Sequence, residues 1–145
     1  MTTSSNSLDN QNHPRLRVLI VDDTTQVLRD LRQLLELSSK VQVVGEARDG
    51  AEAIRLNEEL SPQVIVMDLE MPGMDGYQAT RQIKALQLAP RVVILSVHGG
   101  LAVEERLRKA GADGFVVKGT NYQILLDAIL GMDGSNYSKE KGEIS

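Results

Sequence analysis

The stretch VIVMDLEMPGMDG, residues 64–76, decides the fold. Four apolar residues, Val64 to Met67, run straight into Asp68, and the rest of the stretch holds two further acids, a proline and two glycines. A nearly continuous Val/Ile run suits a strand covered on both faces, as in a parallel sheet. A carboxylate at its end suits either an ordinary strand terminator or a site. The rest of the chain decides between them.

Four further runs have the same character: RVLIV (17–21), VQVVG (41–45), RVVIL (91–95) and GFVVK (114–118), beside QVIVM (63–67) itself. Helical patterns separate them. Val27, Leu28, Leu31, Leu34 and Leu35 share one helical face, as do Ala53, Leu56 and Leu60, then Ala79, Ile83 and Leu86, and finally Ile124, Leu125, Ala128 and Ile129. The fourth pattern, around 101–110, offers the mostly polar stripe Leu101, Glu105 and Arg108, so this helix is expected to be the most exposed and least firmly docked. Strands alternating with helices predict βαβ units: a doubly wound, five-stranded parallel α/β sheet with right-handed crossovers and helices on both faces.

Length and composition agree. The chain has 145 residues, 41% hydrophobic and 25% charged, which fits one soluble domain with a real core. No apolar run reaches the length of a membrane span, so no membrane partner is expected. The N-terminus lacks a basic-then-apolar export signal. The absence of cysteine excludes disulfides and thiolate metal sites and suits a reducing, cytoplasmic setting. A net charge of −4 with dispersed signs makes direct nucleic acid binding by this chain unexpected. The polar segments 1–14 and 132–145 read as an N-terminal tail and a C-terminal tail or linker around a domain at 15–131.

The residues at the strand ends carry the chemistry. Run one ends in Asp22 and Asp23, run three in Asp68, run four in Ser96 and run five in Lys118. In a parallel sheet these ends share one edge, the edge where open α/β sheets bind ligands. Three crowded carboxylates repel unless a cation joins them, and an all-oxygen set suits Mg²⁺. An ammonium and a hydroxyl beside that cation suit a phosphoryl group, whose transfer needs positioning and charge neutralisation. Asp68 is then the candidate nucleophile, forming an acyl phosphate. Taken singly, each residue has a plainer role: Asp22 and Asp23 as helix N-caps, Ser96 as a turn residue, Lys118 as a solvated strand end. Their concentration on one edge favours a site.

The pieces VLIVDD, VIVMDLEMPGMDG, VVILSVHG and KAGADGFVVKG, in this order and spacing, resemble the receiver domain of two-component response regulators, over roughly Arg15 to Gly131. The resemblance implies the flavodoxin-like strand order 2-1-3-4-5. It implies Asp68 as phosphoacceptor, Asp23 and Asp68 as direct ligands of Mg²⁺ (with Mn²⁺ as a substitute), the backbone carbonyl of Glu70 as a third ligand, and Asp22 acting through water. Lys118 and Ser96 would contact the phosphoryl group, and Ser96 with Phe115 would form the switch. The implied partners are a sensor histidine kinase or histidine phosphotransfer protein, and an output protein or attached effector domain. The implied state is a monomer or a phosphorylation-dependent dimer, and the domain acts only on its own phosphorylation rather than as a turnover enzyme.

Three positions depart from the family pattern. Gly119 stands where proline often follows the lysine; a cis bond before a non-proline residue costs about 3 kcal/mol, so the resemblance does not carry one over. Phe115 lacks a hydroxyl, so a switch there works by packing, or the ring is a plain core aromatic. Glu70 brings a carboxylate to the mouth of the site, either shaping access to Asp68 or simply solvated; His98 reads as a solvated loop histidine. The expected readout face is the fourth helix, fifth strand and fifth helix, with Leu101, Val103, Arg106 and Tyr122 on it. An aspartyl phosphatase of the haloacid dehalogenase class is the main rival, but there the acidic pair follows the lysine, whereas Asp22 and Asp23 precede everything. A receiver that binds partners without phosphate is a second alternative. No helix-turn-helix pattern follows Gly131, which leaves open a single-domain regulator or a receiver belonging to a longer one.

Overall fold

A computed structural model describes residues 14–132. The expected tails, 1–14 and 132–145, lie outside them apart from Pro14 and Met132. Ten elements alternate: β1 (Leu16–Val21), α1 (Thr25–Glu36), β2 (Val41–Ala47), α2 (Gly50–Leu60), β3 (Val64–Asp68), α3 (Gly76–Lys84), β4 (Arg91–Ser96), α4 (Leu101–Ala110), β5 (Gly114–Val117) and α5 (Tyr122–Leu130). The strands form one parallel sheet in the order β2-β1-β3-β4-β5.

The period of two along each strand divides the apolar runs between two cores. Leu19, Val21, Ile65, Met67, Val92 and Ile94 point to one face, against α2, α3 and α4 through Ala53, Ala79, Ile83 and Leu107. Val18, Ile20, Val64, Val66, Val93 and Leu95 point to the other, against α1 and α5 through Leu28, Leu31, Leu35, Leu125 and Ile129. Burial on both faces is why β1, β3, β4 and β5 read as unbroken hydrophobic runs; β2 departs from that expectation, being an edge strand with Gln42 and Glu46 exposed.

The helices differ from expectation in detail. Leu34 and Ile124, assigned to core-facing stripes, are exposed. At 100° per residue, Leu34 lies about 90° round from the buried Leu28–Leu31–Leu35 stripe, and Ile124 about 120° from the centre of the α5 stripe. Leu86 falls beyond the end of α3 at Lys84 and is also exposed. The expectation for the fourth helix holds: α4 buries only Leu107 and Ala110, and its N-cap is Gly100, with no side-chain cap. By contrast α2, α3 and α5 are capped by Asp49, Asp75 and Asn121, with a full capping box between Asp75 and Gln78 on α3.

Polar contacts stitch the amino edge of the sheet. The Arg17 guanidinium donates to the carbonyls of Ser61 (2.6 Å) and Leu60 (2.7 Å). Lys84 Nζ donates to Asp113 Oδ2 (2.7 Å), which also accepts from the Val92 amide (2.8 Å). Arg91 Nε donates to the carbonyl of Ala128 (3.0 Å). The carboxyl edge is free for other work.

Gly76 explains part of the opening stretch. It starts α3 hard against the strand end, its amide donating to the carbonyl of Leu69 (2.8 Å). A Cβ there would lie 2.8 Å from the carbonyl oxygen of Asp68 and 2.8 Å from Leu69 Cα. Gly→Ala at a tolerant helix position gains about 0.4–1 kcal/mol. Here backbone overlap reverses the sign. Gly76→Ala is expected to destabilise the domain by about 1–3 kcal/mol, read from urea unfolding of both chains.

Candidate functional site

The register of the sheet builds the site. Val21 pairs with Met67 across β1 and β3, so the next residues, Asp22 and Asp68, emerge side by side. Asp68 pairs with Leu95, and Ser96 with Val117, so Lys118 follows directly beyond the Ser96 pair; its amide donates to the Ser96 carbonyl (2.7 Å). β1 and β3 are also where the chain reverses its direction of winding, the crevice in which such sheets bind ligands.

Asp22 and Asp68 are buried, 1% and 7% exposed, while Asp23 faces solvent. One carboxylate oxygen from each of the three lies within 4.8 Å of the others. Lys118 Nζ reaches two of them, at 3.1 Å from Asp22 Oδ2 and 3.3 Å from Asp68 Oδ1. Asp22 is further fixed by the Thr24 amide, which donates to Oδ1 (2.9 Å), and by its own amide, which donates to the carbonyl of Ala47 (3.0 Å). Four of the residues singled out in the sequence therefore meet.

One ammonium facing three carboxylates leaves surplus negative charge. Burial, and then the neighbouring charge of Asp22, pushes the Asp68 carboxyl above the usual range, against the pull of Lys118. Burial opposes the charge on Lys118, but its hydrogen bond to Asp22 and the charges of Asp22 and Asp68 outweigh that and raise its pKa. An anionic oxygen pocket with one solvent-facing ligand fits a hard divalent cation that keeps water on its open side.

The remaining expected residues surround this centre. Ser96 is buried at the end of β4, its Oγ accepting from the His98 amide (3.1 Å). Phe115 is already packed into the core of the α3–α4 side. Glu70 is exposed on the loop after β3, but it is not merely solvated: its Oε2 lies 3.0 Å from His98 Nδ1, so the histidine expected to be free in solvent has a partner. Gly119 adopts φ +89, closed to proline, and there is no cis peptide bond among the described residues. On the expected readout face Leu101 and Arg106 are exposed and Val103 is half-buried. Tyr122 is the exception: it packs against the core of the opposite side and its hydroxyl is buried.

Sequence reading missed Tyr77. Its ring carries the Arg106 guanidinium at 3.8 Å from the centroid, and the two border a groove of about 520 Å³ shared with Leu69, Glu70, His98 and Val103. Tyr77 and Arg106 are 29 positions apart on different helices, and no local pattern signals such a contact.

The doubly wound fold and the acid–lysine pocket at its switch point define an α/β protein built to handle a phosphoryl group beside a cation. The chain belongs to the response regulator receiver domain family, whose profile matches residues 18–130. It is 39% identical over 126 residues to the nitrate/nitrite response regulator protein NarP of Escherichia coli (strain K12), covering 86% of this chain and 59% of that protein. It is 40% identical over 114 residues to the transcriptional regulatory protein LiaR of Bacillus subtilis (strain 168), covering 79% and 54%. The crystal structure of a LuxR-family two-component response regulator from Aurantimonas sp. SI85-9A1 superposes with a TM-score of 0.79 at 37% identity, over 85% of this chain and 89% of that one. The chain thus spans little more than half the length of these two curated relatives. Receiver domains of two-component systems are phosphorylated on an aspartate with Mg²⁺ bound at an acidic pocket, and are generally not turnover enzymes. Family membership removes the phosphatase alternative. Among the described residues no helix is long and apolar enough to cross a membrane.

The raised Asp68 pKa has a sign consequence. Between the unfolded value of 3.8 and the higher folded value, the folded state binds more protons, so metal-free stability falls as pH rises through that window. At neutral pH the buried charge is a net liability. Asp68→Asn is expected to raise the melting temperature of the metal-free protein at pH 7, read by calorimetry.

Proposed function

We infer that Asp68 is the phosphoacceptor of a receiver domain spanning 15–131, and that its phosphorylation switches the surface formed by α4, β5 and α5. The observation carrying this reading is the placement of Asp68 Oδ1 against Lys118 Nζ, within the cluster of Asp22 and Asp23. The family match over 18–130 supports the boundaries.

The chemistry is a substitution at phosphorus. A carboxylate oxygen of Asp68 attacks the phosphoryl group of a phosphohistidine on a sensor kinase or phosphotransfer protein. The P–N bond breaks, its electron pair stays on the imidazole nitrogen, and an acyl phosphate forms. Asp68 sits on a rigid strand end, so little motion is required of the nucleophile. The Lys118 ammonium, held by Asp22, lies where the new phosphoryl oxygens gain negative charge, and the Ser96 hydroxyl supplies a further donor. Asp23 and Asp68, the backbone carbonyl of Glu70 and, through water, Asp22 are the residues that would hold Mg²⁺ or Mn²⁺. The bound cation supplies charge neutralisation of carboxylates and phosphoryl oxygens together. Attack of water at the same phosphorus returns Asp68 and inorganic phosphate, so the domain resets itself.

The output follows from unequal docking. Turning Ser96 toward a phosphoryl group draws the loop to α4 inward, and α4, with two buried residues and no side-chain cap, yields more readily than its neighbours. Phe115 starts buried, so in this chain the ring adjusts within the core as the loop moves. The solved DNA-binding response regulator of the LuxR family from Staphylococcus aureus, 24% identical, shares the fold. The half-length match to transcriptional regulators supports an attached effector domain as the output, with contact to a separate protein as the other route. A cytoplasmic setting, and either a monomer or a phosphorylation-dependent dimer, complete the reading.

Intact-mass analysis after incubation with a small acyl-phosphate donor tests it. A single phosphoryl adduct is expected with Mg²⁺, at least tenfold less without it, and none in Asp68→Asn; an equal adduct in that variant moves the acceptor elsewhere. Lys118→Ala is expected to keep Mg²⁺ binding, by fluorescence or calorimetric titration, yet to show no change in the α4 amide resonances on phosphorylation.

A further inference from the structure

The loop from β4 to α4, Val97–His98–Gly99–Gly100, is exposed along its whole length and ends in two glycines. Gly100 takes φ +115, a conformation that leaves the entry to α4 to glycine alone. Gly99 runs close beside β5: a Cβ there would sit 3.3 Å from Val117 Cγ2 and 3.7 Å from Phe115 Cε2. This segment is therefore a hinge with little intrinsic stiffness. Apart from the Gly100 carbonyl, which accepts from the Glu104 amide (3.0 Å) in the first turn of α4, two contacts that involve side chains restrain it, and both end on His98: the backbone amide to Ser96 Oγ, and the ring to Glu70.

The second contact crosses between elements. Glu70 belongs to the loop after β3, His98 to the loop after β4, and neither is needed to hold the other's strand. A carboxylate only accepts, so Nδ1 carries the hydrogen. The contact lies outward, with the two side chains 55% and 68% exposed, whereas Asp68 and Ser96 are buried beneath. It joins the hinge to the loop that follows the Asp68 strand, in the same arrangement that engages Ser96 Oγ with the His98 amide.

We propose that the Glu70–His98 pair is a strap that positions the hinge in its unphosphorylated setting, so that the contact opposes switching and tunes how readily a phosphoryl group tips the domain. The proposal rests on Asp68 being the acceptor. Both residues are positioning residues: they act through the loop that carries Ser96. The strap is weak by design of its surroundings, because an exposed contact contributes little. That suits tuning, since a strong lock would prevent the switch.

The test is a double-mutant cycle on the affinity of the full chain for beryllofluoride, a phosphoryl mimic, in saturating Mg²⁺. Glu70→Ala and His98→Ala are each expected to bind about two- to fivefold more tightly than the native chain. The double variant is expected to bind no more tightly than either single one, since each removes the same contact. Glu70→Gln keeps an oxygen opposite Nδ1 and is expected to restore the weaker binding. In the two alanine variants without the mimic, the Gly99 and Gly100 amide resonances should move toward their positions in the saturated native protein. Unchanged or weaker binding in the alanine variants, or additive effects in the double, overturns the strap. Absence of Asp68-dependent binding by the native chain overturns the acceptor reading and the strap together.

Discussion

Two buried carboxylates on adjacent strands, with one ammonium between them, form the constraint on which the rest of the site turns. Asp22 and Asp68 are thrust together by the β1–β3 register, and Lys118 bridges them at 3.1 and 3.3 Å. Repulsion between desolvated carboxylates destabilises the pocket, and a single lysine offsets it only in part. That residual negative charge is what a hard divalent cation can neutralise. The fold tolerates it because stability is gathered elsewhere, in two largely apolar cores and in the stitched amino edge.

The sequence made the sheet and the pocket legible for one shared reason: both follow from strand runs and what ends them. Buried parallel strands appear as unbroken Val and Ile, and a residue placed just beyond such a run must lie at the sheet's carboxyl edge. Asp22, Asp68, Ser96 and Lys118 could be gathered on one edge from that alone. The strand order could not; it came from resemblance, because periodicity records which face a residue occupies and not which strand is its neighbour.

Side-chain detail on loops and helix flanks was less legible. Leu34 and Ile124 are as apolar as their buried neighbours, and only the angle each helix presents to the sheet leaves them outside. The Glu70–His98 contact and the Arg106–Tyr77 stack join residues 28 and 29 positions apart. No spacing rule covers such pairs, which depend on how two loops or two helices come to rest beside each other. Gly76 sits between these cases: its turn character is visible in the sequence, while its contact with the Asp68 backbone is not.

The division of the interior has a consequence of its own. The sheet is a wall: the buried cluster with α1 and α5 and the one with α2, α3 and α4 have no residue in common. Side chains can be exchanged in one compartment without disturbing the packing of the other. A lineage carrying this domain could therefore remake the surface on one side for a new correspondent and leave the opposite side, with its loosely seated helix, speaking to the old one.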